Sequence, residues 1–164
     1  MPSTHLTAND QDILNTTLTA IDGTVQYTIM TQMKIFGRRD PTHVVARSGQ
    51  EGIIDWREKT IRIGQNERPV AYLKQHRGGM FSSKRQWSWT DIAYTVKYED
   101  NRDWTATPIS ESVEVARLRS RNEHLFRSSD PAIVWFSEDI PNDTEKMFLL
   151  LVLLYSEVRR LDAE

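Results

Sequence analysis

In the stretch SVEVARLRSRN, Arg117, Arg119 and Arg121 alternate with Ala116, Leu118 and Ser120. Alternate residues of a strand share a face, so three guanidinium groups would line up over about 14 Å at roughly 3.4 Å per residue. Arg forks match phosphate geometry and hold it by charge-assisted hydrogen bonds. The stripe is therefore a candidate site for an anionic, phosphate-bearing ligand. A second basic group holds Lys74, His76, Arg77, Lys84 and Arg85, and a third holds Lys34, Arg38 and Arg39. All of these cations have a simpler use, since outward Arg and Lys keep strand edges soluble.

Five tryptophans suggest a second chemistry. Trp56, Trp87, Trp89 and Trp135 fall at strand positions expected to face inward, where packing in the core is the plain reading, while Trp104 in NRDWTATP is expected at a mouth. If space remains among them, aromatic walls would suit a small apolar molecule or pigment, and an exposed ring would suit a sugar.

Other chemistries lack their residues. Without cysteine there is no disulfide, thiolate nucleophile or thiolate metal site. His5, His43, His76 and His124 show no ligand spacing, so no metal is expected. Gly78-Gly79 lacks the spacing of a phosphate loop, and no serine sits in a nucleophile elbow. Glu99-Asp100-Asn101-Arg102-Asp103 gathers oxygen ligands, but Arg102 intrudes and no glycine follows, so a hairpin loop is the better reading. Neither a catalytic residue nor a cofactor is expected. The net charge of −2 supplies no global field toward nucleic acid, so a charged partner would need a local patch. The start MPSTHLTAND has no basic flank or apolar run, which reads as cytoplasmic. Oligomeric state is left open.

The positioning elements follow from periodicity. At 164 residues the chain has the size of one domain, with 1–11 expected as a loose N-terminal arm. From 12 to 137, short segments rich in β-branched and aromatic residues are bounded by turn residues: THVVARS, GIIDWRE, TIRIG, PVAYLK, MFSSKRQWSW, IAYTVKYE, SVEVARL and AIVWFS. TTLTAI-DG-TVQYTIMT predicts a hairpin with a two-residue type I′ turn at Asp22-Gly23. About ten strands result, each with one apolar face.

A helix is predicted over 142–161. Asn142 can cap it, Glu145 can complete a capping box, and Arg159 and Arg160 suit its negative end. From Met147 to Tyr155 the run MFLLLVLLY is apolar at every azimuth. Nine residues extend about 14 Å, whereas a bilayer core needs roughly 20 residues, so a membrane span is not expected. Burying eight of these side chains would contribute on the order of 12–24 kcal/mol before entropy. A helix apolar all round needs walls all round. The expected fold is mainly β: a closed or nearly closed antiparallel barrel of about ten or more strands around this C-terminal helix.

That plan resembles the Tubby C-terminal-like superfamily, which includes Tubby proteins, phospholipid scramblases and plant LURP-one-related proteins. FSEDIPNDTEKM leading into LLLVLLYSE looks like the acidic turn and central helix of a scramblase-type domain. The succession YTIMT, THVVARS, GIIDWRE, RQWSW, YTVKYE and SVEVARL is similar to small fungal proteins of this fold. The resemblance implies a Tubby-type basic surface for phosphoinositide head groups. The cysteine-rich lipid-anchored segment and proline-rich leader of scramblases have no counterpart here, which argues against lipid flipping.

Overall fold

The computed structural model describes residues 3–33, 39–76, 84–99, 103–120 and 130–163. Its strands are β1 (Ser3–Ala8), β2 (Thr16–Ala20), β3 (Val25–Met33), β4 (Arg39–Ala46), β5 (Glu51–Asp55), β6 (Thr60–Ile63) and β7 (Asn66–Pro69). A one-turn helix, α1 (Val70–Leu73), leads to β8 (Lys74–His76), β9 (Arg85–Ser88), β10 (Ala93–Tyr98), β11 (Asp103–Pro108), β12 (Ala116–Arg119) and β13 (Ile133–Ser137). Helix α2 (Asp143–Asp162) ends the fold.

All thirteen strands form one sheet in the order β7-β6-β5-β4-β3-β2-β1-β13-β12-β11-β10-β9-β8. Every neighbouring pair is antiparallel. Among the described residues the hydrogen-bonded sheet is open, not closed, and chain direction explains why. Alternating through the order from β7 to β8 leaves the two edge strands running the same way. Parallel neighbours need a crossover of a dozen or more residues, and α1 supplies four. The chain therefore runs onward from β7 into β8, bonding first to β6 and then to β9. Pro69, which has no N–H to donate, marks the break. PVAYLK, expected as one strand, is thus the end of β7, all of α1 and the start of β8.

Helix α2 is the core. Met147 through Leu154 are completely buried, and α2 touches β5 and β6 on one arm of the sheet and β11 and β12 on the other. Gly52 lets β5 approach closely: a Cβ there would lie 2.7 Å from Met147 Sδ and 2.8 Å from Leu151 Cδ1. Among the described residues, no helix is long and apolar enough to cross a membrane.

Two local expectations are corrected. Residues 3–8 are not part of a loose arm: β1 lies mid-sheet between β2 and β13, with Leu6 and Ala8 buried. The Asp22-Gly23 turn is not type I′, because only Gly23 has positive φ (87°). Gly23 N–H donates to the Ala20 carbonyl and Ala20 N–H to the Thr24 carbonyl, which makes a three-residue loop with glycine in the left-handed position.

At its start, α2 carries Glu145, which is wholly buried. Asn142 Oδ1 accepts from Glu145 N–H at 2.9 Å, as capping predicts. The Glu145 carboxylate does not turn back to complete the capping box. It accepts from Thr90 Oγ1 and Tyr94 Oη, both at 2.6 Å, tying the helix to the far arm of the sheet. Burial and then this bond raise the Tyr94 phenol far above its ordinary range, and burial pushes Tyr27 up to about 12. Both phenols hold their protons more tightly when folded. Their contribution to stability is thus complete below the unfolded value near 10 and is lost as pH rises toward the folded values. Tyr27 alone accounts for about 2 kcal/mol of loss by pH 12. Urea denaturation from pH 9 to 11 is expected to show falling stability, with Tyr27→Phe flattening the slope; an unchanged slope would contradict this assignment.

Candidate functional site

At the C-terminal end of α2, an aromatic cluster forms where the helix meets both arms of the sheet. Trp56, just after β5, stacks on Tyr155 with centroids 5.6 Å apart and planes 3° apart, and Trp87 of β9 meets Tyr155 edge-on at 5.7 Å. Trp56 is pinned, its Nε1 donating to Thr42 Oγ1 at 2.9 Å. Arg39 lies 5.2 Å from the Trp56 centroid and donates its fork to Asp162 at 3.0 and 3.3 Å, which lowers the Asp162 carboxyl below its ordinary range. A cleft of about 860 Å³ opens here between Arg39, Trp56, Tyr155 and Arg159, with Asp40, Asp55, Glu58 and Asp162 also in its walls and Lys74 and Trp87 beside it, outside its lining.

Cations face into this end. Lys74 pairs with Trp87 across β8 and β9, so both side chains lie on the inner face, as do Arg85 and its cross-strand partner Val96. Lys74 Nζ sits 5.6 Å from the Trp87 centroid and 5.9 Å from that of Tyr155. Burial lowers the affinity of Lys74 for its proton, and Arg85 and Arg159 lower it further by repulsion. Arg159 lies one turn beyond Tyr155. Among the described residues, neither Lys74 nor Arg159 is within ion-pair distance of a carboxylate. The arrangement can hold an anion beside an aromatic shelf.

The arginine stripe is built otherwise. Arg117 donates to Asp103 Oδ2 at 3.1 Å and to Glu114 Oε1 at 2.6 Å. Arg119 donates to both Asp103 oxygens at 3.3 Å. Asp103 is only 1% exposed, so the charges expected to face a ligand are engaged in neutralising a buried carboxylate. Arg121 and Arg77 lie outside the described residues, as do Lys34, Arg38, His124 and Gly78-Gly79. Lys84 is exposed just before β9.

The tryptophans divide. Trp87 and Trp89 are buried as expected, Trp89 against Phe148 at 5.8 Å and beneath the Arg68 guanidinium at 4.2 Å. Arg68 also donates to the Trp89 carbonyl, bridging β7 to the segment after β9. Trp104 is buried rather than open at a mouth: its Nε1 donates to Glu157 Oε2 at 2.8 Å, and Arg160 caps the same carboxylate through two 2.9 Å bonds. Trp135 faces outward, between the buried Val134 and Phe136. Trp56 is half-buried at the cleft. Tyr155 and Arg159, both central to the site, were hidden inside a run that reads as core and a helix end that reads as dipole compensation. Among the described residues, no three His, Asp or Glu side chains are grouped to hold a metal.

The fold is mainly β, a thirteen-stranded antiparallel sheet about one C-terminal helix. Comparison with known proteins finds no matching family model, no matching curated protein and no matching solved structure.

Proposed function

We propose that the chain is a non-enzymatic ligand-binding domain in which the open sheet wraps α2 as a Tubby-like barrel would, and which takes an anionic lipid head group at the C-terminal end of α2, beside the cleft. The observation that carries this reading is the inward-facing Lys74, half-buried with Arg159 nearby and without a carboxylate partner among the described residues. A phosphate there relieves the mutual repulsion of the cations, and the Trp56–Tyr155 shelf accepts the adjoining apolar part of the lipid. A cytoplasmic protein would meet such head groups on the inner leaflet. The resemblance to Tubby-type domains supports the ligand class. The anionic site is Lys74 with Arg159, in place of the Arg117–Arg119 stripe.

Flotation with phosphatidylcholine vesicles, with and without a phosphatidylinositol phosphate, tests the reading. Binding is expected only to the doped vesicles. Lys74→Ala and Arg159→Ala should each weaken it about tenfold or more, the worth of one hydrogen bond to a charged group. Arg119→Gln should change it by less than about twofold, because its charge is already compensated. No binding would sink the reading, and loss with Arg119→Gln alone would return the site to the stripe. A purified protein that carries a visible absorption band or retains an apolar mass in native mass spectrometry would instead mark a carrier of a small hydrophobic ligand.

A further inference from the structure

On the outer face, one row of side chains crosses three paired strands. His5 of β1 stands opposite Trp135 of β13, and Trp135 stands opposite Arg117 of β12. The next row holds Thr7, Ile133 and Arg119, with Asp103 of β11 beyond. His5 meets the Trp135 ring edge-on at 6.5 Å. Between the rows lies a pocket of about 270 Å³, walled by His5, Glu114, Arg117, Arg119, Ile133 and Trp135. Binding pockets for drug-sized ligands run from about 300 to 1,000 Å³, so this one suits roughly a single ring.

Three properties narrow the occupant. First, a large aromatic face stands on the wet side of the sheet, where core packing does not require it. Second, the two arginines are matched by Asp103 and Glu114, so the described charges around the pocket cancel and give an anion no net attraction. Third, the polar wall is already in place: Arg117 and Arg119 are held by the buried Asp103, so little side-chain entropy remains to be lost on binding. A purely apolar ligand would strip water from Glu114, Arg119 and His5 and return no hydrogen bonds. A neutral polyhydroxylated ring satisfies both walls, its C–H face lying on the indole and its hydroxyls meeting His5, Glu114 and Arg119. We propose that the pocket at Trp135 binds a pyranose ring of a neutral saccharide, a site separate from the anion site at the end of α2.

Saturation-transfer NMR on the full chain with maltotriose, cellotriose and triacetylchitotriose, each at millimolar concentration, tests this. At least one is expected to receive saturation. Trp135→Ala should lower its affinity about tenfold or more, Trp135→Phe should keep part of it, and Lys74→Ala should leave it unchanged. His5→Ala, which changes an exposed side chain, is expected to weaken binding a few-fold, and it carries the test if Trp135→Ala does not fold. No transfer to any of the three sugars overturns the proposal, as does transfer that survives both Trp135→Ala and His5→Ala.

Discussion

Replacing Phe148 by alanine is expected to lower the unfolding free energy by about 3–5 kcal/mol, the range for deleting a buried aromatic side chain. Phe148 is completely buried on α2 and packs against Trp89 at 5.8 Å. Its neighbours Met147 and Leu149 to Leu154 are equally buried and come from the same helix, so the walls around the missing ring have little freedom to close. The loss includes a cavity as well as the transfer of the ring. Leu161, on the same helix but largely exposed, is the control: Leu161→Ala should change stability by less than about 0.5 kcal/mol. Urea denaturation of the three proteins checks this. Equal, small losses for both variants would mean that α2 is not the core.

The second large effect lies at the other end of the helix. Glu145→Ala is expected to cost about 2–4 kcal/mol, because it leaves the Tyr94 and Thr90 hydroxyls without their acceptor. Tyr94→Phe removes one donor from a buried carboxylate and should cost about 1.5–3 kcal/mol. The cost arises from stranding one partner, so the double variant Glu145→Leu, Tyr94→Phe should be less destabilised than the two losses summed. A double-mutant cycle by urea denaturation measures that coupling. Strict additivity would show that the 2.6 Å contact contributes nothing as a pair.

These two ends of α2 also mark what the sequence could disclose. The role of MFLLLVLLY was legible, since an apolar surface at every azimuth in a run too short for a bilayer leaves only a protein interior. The N-cap at Asn142 was legible for the same local reason. The Glu145 side chain was not, because its partners Thr90 and Tyr94 are more than fifty residues away and a capping box is the local alternative. Strands with clean alternation were visible, such as Ala93–Tyr98. β11 leaves no strand signal in the sequence, because DWTATP is buried on both sides of its pleat in most positions and shows no period of two. That omission hid Asp103, and with it the neutralisation of Arg117 and Arg119. Sequence alone groups Lys74 with outward edge cations; only its register opposite Trp87 turns it inward. Trp135 was expected inside, yet the buried Val134 and Phe136 on either side fix it outside.

The five indole N–H signals give the most direct measurement. Titration with inositol trisphosphate as a soluble head group, followed by ¹⁵N–¹H NMR, should move the Trp56 and Trp87 signals to saturation and leave Trp135 in place. In a protein carrying Lys74→Ala and Arg159→Ala, the movements should disappear. Stationary Trp56 and Trp87 signals, or a shift confined to Trp135, would contradict an anion site at the end of the central helix.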